Sequence, residues 1–225
     1  MQFIFNGKKD FVHYIKIKRL SKSTLDYITI YHSEDFEIQD VLENSNKINI
    51  VINKSNYLNI IFTKAIIIKE SKTQTKVECF ICEENGYVYN QDVIDVLYHW
   101  RNGRTVNWRS KTENFKYAYI KACSLLNYQH FKFINFDNNI LDGKKVNSEN
   151  DLYIMLGELF YGNGGYFGAG LDGLYDYLID VNKNKFLNRI TISIINKENL
   201  ILKLGEPYYL AFINILKQKN VIVTD

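Results

Sequence analysis

A chain of 225 residues that is 46% hydrophobic and 15% aromatic, with one proline and 12 glycines, can bury one large core or two small ones; a disordered or fibrous chain is excluded. A net charge of +3 is too small to demand a nucleic-acid partner, and three cysteines make no disulfide framework. The opening MQFIFNGKKDFVHY is charged too early for a signal peptide, and YLNIIFTKAIIIKE is broken by Lys64 and too short to span a bilayer, so a soluble chain in a reducing cytoplasm is expected, with no membrane partner.

The first ninety residues read as strands. FVHYIKIKRL, TLDYITIYH, KINIVINK, YLNIIFTKAIIIKE and TKVECFICEE are rich in Ile, Val, Tyr and Phe, often alternating with polar residues, and EENGY offers an Asn-Gly turn. Two helices follow. NQDVIDVLYHW puts Val93, Val96, Leu97 and Trp100 on one stripe between an Asn90 cap and a Gly103 stop. SKTENFKYAYIKACSLL opens with Ser110-x-x-Glu113, a capping box, and should bury Phe115, Tyr119, Ala122 and Leu126. This part is expected to be a strand-rich α+β domain of unrecognised fold, a curved antiparallel sheet with helices at its end.

The pattern then changes near Asn127–His130, dividing the chain into 1–129 and 130–225. FKFINF (131–136) reads as a strand and SENDLYIMLGELF as a helix capped by Ser148. After a glycine-rich turn come a helix at about 171–180, the strand RITISII, a helix from Glu206 with Pro207 in its first turn, and the strand VIVT. Strands separated by helices predict an α/β domain with a small, three-stranded parallel sheet.

Several patterns invite chemistry. Gly168-Ala-Gly170-Leu-Asp-Gly173 spells G-x-G-x-x-G, but a helix and loop precede it where the dinucleotide fingerprint needs a strand, and Asp172 would repel a pyrophosphate. No cofactor is implied. Cys79-Phe-Ile-Cys82 lies in a strand, where positions three apart face opposite sides, and no second Cys/His pair at zinc spacing accompanies it. Asp92, Asp95 and His99 share a helical face that could serve acid–base or metal chemistry, or simply face solvent. WRNGRTVNWRSK combines basic residues with two tryptophans, which suits an RNA-associated module using Arg101, Arg104, Trp108 and Arg109, or a plain connection with core tryptophans.

The helix after the glycines is less easily explained as surface. At 100° per residue Leu171, Leu174 and Leu178 cluster on one side, and Asp172, Tyr175, Asp176, Ile179 and Asp180 lie opposite. Acids spaced i,i+4 repel by a few tenths of a kcal/mol per pair, and no Lys or Arg in this segment offsets them. Such a face suits docking to a cationic cleft, with aromatic and aliphatic anchors among steering acids.

The stretch VNSENDLYIMLGELF…GYFGAGLDGLYDYLID, followed by RITISII and ILKQKNVIVTD, resembles the barstar family, small intracellular inhibitors of secreted ribonucleases. The resemblance covers about residues 131–225 and is most specific from Tyr166 to Asp176. It implies a non-enzymatic immunity protein whose loop and helix plug the active site of a toxin ribonuclease, the acids standing in for substrate phosphates. The implied contact residues are Tyr166, Phe167, Gly168, Gly170, Asp172, Tyr175, Asp176, Ile179 and Asp180. The family has Trp where Tyr175 stands and Asn where Gly170 stands, and the acid on its last helix is missing here. Residues 1–130 lie outside the resemblance.

Overall fold

A computed structural model describes residues 2–5, 8–18, 25–44, 47–52, 57–82, 90–127, 139–183 and 190–224. They form two compact units, Met1–Arg104 and Thr105–Asp225.

In the first unit the alternating runs become strands β1 (Gln2–Phe5), β2 (Lys8–Lys18), β3 (Asp26–His32), β4 (Lys47–Val51), β5 (Tyr57–Ser71) and β6 (Gln74–Cys82). Their order is β1-β2-β3-β6-β5-β4 with β4 returning to β1, so the expected curved sheet closes into an antiparallel barrel. Two three-stranded meanders are joined by the β3–β6 and β1–β4 pairings. Period-two patterning drives closure: β3 alternates buried and half-buried residues along its whole length. Ile15, Ile28, Ile30, Ile48, Ile50, Ile60 and Phe62 point inward as the core. The short helix α1 (Ile38–Asn44), unforeseen in the sequence, contributes Ile38 to that core. Helix α2 (Gln91–Arg101) is capped by Asn90, whose side chain accepts from the amide of Asp92, and adds Ile94. The Asn-Gly turn lies outside the described residues.

The second unit begins with α3 (Glu113–Asn127). Its cap is Thr112, not Ser110: the Phe115 amide donates to Thr112 Oγ1 at 3.3 Å, because the helix starts two residues later than a Ser110 cap requires. Tyr119 and Ala122 are buried as expected, while Phe115 and Leu126 are half-buried. There follow β7 (Asn139–Asp142), a 3-10 turn at Gly143–Lys145, α4 (Glu149–Tyr161), α5 (Gly170–Lys183), β8 (Thr191–Ile195), α6 (Lys197–Leu204), α7 (Glu206–Gln218) and β9 (Ile222–Thr224). The strands form a three-stranded parallel sheet ordered β7-β8-β9. The mixed α/β organisation read from the sequence is therefore present. The strand expected at 131–136 lies outside the described residues, and β7 and α6 are additions.

Helix α3 belongs to this unit, although the sequence pattern places the boundary after it. Lys116 and Asp151 are both buried and meet at 2.7 Å, and Lys116 also bonds Glu113 at 2.7 Å. Burial works against both charges, but the pairing prevails: the carboxyl of Glu113 is held below its ordinary range and the ammonium of Lys116 above its own.

Candidate partner-binding face

The loop between α4 and α5 is fixed before the acids are reached. A Cβ placed on Gly157 would lie 2.1 Å from the carbonyl oxygen of Gly165, so the chain folds back onto α4 at a distance only glycine allows. Phe167 is fully buried and stacks on Phe160 at 4.4 Å. Gly168 has φ +92°, and a Cβ there would stand 2.7 Å from both N and Cα of Leu174. Loop and helix are thus one rigid piece.

Helix α5 buries Leu174 and Leu178 completely. Tyr177 is half-buried and donates to the hydroxyl of Tyr161. Desolvation dominates there, pushing Tyr161 up to about 12 and Tyr177 higher still. Asp172, Tyr175, Asp176 and Asp180 are exposed, and Ile179 is half-buried. Among the described residues nothing donates a hydrogen bond to Asp172 or Asp176 or forms an ion pair with them.

Other elements complete this face. Glu149, at the start of α4, accepts from the hydroxyl of Tyr208 on α7 at 2.6 Å. The hydroxyls of Tyr208 and Tyr153 are 2.9 Å apart; since Tyr208 gives its one proton to Glu149, Tyr153 is the donor between them. Burial first, then the hydrogen bond to Glu149, pushes the Tyr208 hydroxyl far above its ordinary range. Glu149 stands beside the start of α5, its Oε1 3.5 Å from where a Cβ on Gly170 would be. A cation is also present. Lys219, just past α7, holds its Nζ 3.7 Å from the centre of the Tyr175 ring. The expectation that no Lys or Arg accompanies the acids covers about 171–180; the helix runs on to Lys183, and a neighbour from outside it, forty-four positions from Tyr175, places its cation over that ring.

No family model, curated protein or solved structure matches this chain. Geometry therefore carries the argument. Of the nine contact residues implied by the resemblance, Asp172, Tyr175, Asp176 and Asp180 form the exposed face, with Ile179 and Gly170 half-buried beside them. Tyr166 is half-buried edge-on to Tyr177 at 5.5 Å, and burial raises its hydroxyl. Phe167 and Gly168 are buried and shape the loop from inside; neither is placed to touch a partner. The contacts of Glu149, Tyr208 and Lys219 join distant segments and leave no local periodicity in the sequence.

Among the other candidates, Asp95, Cys79, Trp108 and Arg109 have structural surroundings of their own. Asp95 accepts from the Tyr14 hydroxyl and from Gln91 Nε2, both at 2.6 Å, so it anchors α2 to the barrel. Among the described residues no group of three or more His, Cys, Asp or Glu could hold a metal ion. Cys79 is a buried thiol on β6. Trp108 is 3% exposed, its indole donates to Glu158 at 2.6 Å, and the Arg109 guanidinium covers its ring at 4.4 Å. A base has no bare ring to stack on there. An open cavity of about 380 Å3 is lined by Trp108, Arg109, Lys145, Asn147 and Asp151 and shares no residue with the acidic face.

Proposed function

We propose that this chain is a non-enzymatic immunity protein whose second unit is barstar-like and blocks a toxin nuclease, a ribonuclease by the family resemblance, with α5 and the loop before it. The observation that carries the reading is the pair of exposed carboxylates, Asp172 and Asp176, unpartnered among the described residues and on the same helix as the 39%-exposed ring of Tyr175, behind a closely packed loop. Preorganised acids beside an aromatic anchor match a cleft built to hold phosphates: the partner's cations gain partners without the inhibitor losing any. A cytoplasmic inhibitor would protect the cell that makes the toxin.

The test pairs this chain with the nuclease recovered on it and follows RNA hydrolysis. Asp172→Ala combined with Asp176→Ala should abolish inhibition. Asp176→Ala alone should cost about 2–5 kcal/mol, the range for buried interfacial charge pairs, or roughly 30-fold to several thousand-fold in Kd. Arg104→Ala with Arg109→Ala should change little. The reverse pattern would sink the reading in favour of RNA association through residues 100–111.

A further inference from the structure

We infer that Lys219 is a positioning residue for the partner face: it holds the Tyr175 ring in place as an anchor for an arginine-bearing protein surface, and this rests on the reading of α5 as the docking element. The ammonium lies 3.7 Å from the ring centre, within the range of a cation–π contact. Its backbone is a fixed post. The Lys219 amide donates to the carbonyls of Ile215 and Leu216, both at 3.1 Å, closing the end of α7. Asn220 then turns through φ 60°, the amide of Val221 donates back to Leu216 at 3.0 Å, and Val221 is 3% exposed. The side chain leaves a rigid corner, half-buried, and ends over the ring.

Where the ammonium does not go matters as much. Asp172 and Asp176 share α5 with Tyr175, yet among the described residues Lys219 forms no ion pair with a carboxylate. It covers the aromatic and leaves Asp172 and Asp176 without direct neutralisation. A tyrosine on an exposed helix face would otherwise sample several rotamers, and fixing it before contact removes an ordering cost from binding. The ring keeps 39% of its residue's surface exposed on the same helix as two exposed carboxylates, which suits a guanidinium, able to stack on an aromatic and to bond a carboxylate.

The sign of one effect decides the matter. Lys219 is a positive charge on a surface meant for cations, so removing it should tighten the binding of any cationic probe if charge alone counts. If it positions Tyr175, removing it should weaken binding. Hexa-arginine is titrated into the full chain at fixed, moderate salt, with the signals of Tyr175 and Asp172 followed by NMR. Lys219→Ala is expected to bind about two- to five-fold more weakly despite the lost repulsion, Lys219→Arg to restore wild-type binding, and Tyr175→Leu to abolish that weakening, so that in its background Lys219→Ala binds as well or slightly more tightly. The Lys219 methylene protons should be shifted upfield by the ring in the wild type and return to ordinary values in Tyr175→Leu. The amide of Val221 reports that each variant keeps its fold. Equal or tighter binding by Lys219→Ala, or no saturable shift of Tyr175 with hexa-arginine, overturns the inference. Failure of the inhibitor reading looks different: the Asp172 and Asp176 variants would then still inhibit the nuclease.

Discussion

Gly168 carries a burden out of proportion to its size. Its left-handed φ of +92° already disfavours any side chain, and a Cβ would collide at 2.7 Å with the backbone of Leu174, which cannot rotate aside. Gly168→Ala should therefore destabilise the second unit by about 2 kcal/mol or more, seen as a lower midpoint in thermal or denaturant unfolding. Gly173→Ala is the control: its nearest neighbour would be 3.9 Å away and it lies within α5, so the expected result is no loss and a gain of up to about 1 kcal/mol. These glycines show what single residues disclose. Their clustering was legible as a tight turn, and the failed dinucleotide context was legible too. That the turn requires Gly168 far more than Gly173 was not, because the requirement comes from the returning backbone of α5. Asp172 and Asp176 were readable as an outward pair from 100° periodicity alone, whereas Lys219 was invisible for want of any local pattern.

At the scale of elements, the bond between α2 and the barrel shows how one side chain can replace a strand. β1 pairs with β2 only between Lys8 and Val12. Beyond that point the amide of Ile17 donates to Gln91 Oε1 at 2.8 Å, and Gln91 Nε2 donates to the carbonyl of Ile15 at 3.3 Å. The carboxamide, with the same donor and acceptor as a peptide group, completes the ladder where the neighbouring strand has run out. Gln91→Ala should speed hydrogen exchange at the Ile17 amide selectively and cost about 1–3 kcal/mol in the stability of the first unit. An unchanged Ile17 rate would show that the edge is protected by something else. Most strands here were legible because alternation is a local signal. β1 was not: four residues carry too short a pattern, and its place is set by pairing with β2 and β4. Helix α2 was legible with its cap, but Asp95 read as candidate chemistry until Tyr14, 81 positions away, appeared at its carboxylate.

Over the whole molecule, composition and packing divide the chain at different points, and the difference has consequences. The sequence changes character near 127–130, where the family resemblance begins, while the compact unit starts at Thr105. Ahead of residue 130 stand Trp108, Ala118, Tyr119, Ala122 and Cys123, all buried, together with the hydrogen bond from the Tyr119 hydroxyl to Asn163 at 2.9 Å in the loop leading to α5. Sequence could not assign α3, since an amphipathic helix shows that it has an apolar face but not which neighbour covers it. A fragment of 105–225 should unfold in one cooperative transition and keep its near-ultraviolet circular dichroism. A fragment of 130–225 loses a fully buried tyrosine and several smaller buried groups, at about 1.5–3 kcal/mol for each large side chain, which is comparable to the whole stability of a domain this size. It also separates Asp151 from Lys116, although water reaching the exposed carboxylate would soften that loss. The expected result is a much lower unfolding midpoint for 130–225 and weaker inhibition than 105–225, because Asn163 no longer has Tyr119 to hold it. Equal midpoints and equal inhibition would mean that α3 is an addition the inhibitory fold can do without, and that the sequence boundary is the functional one.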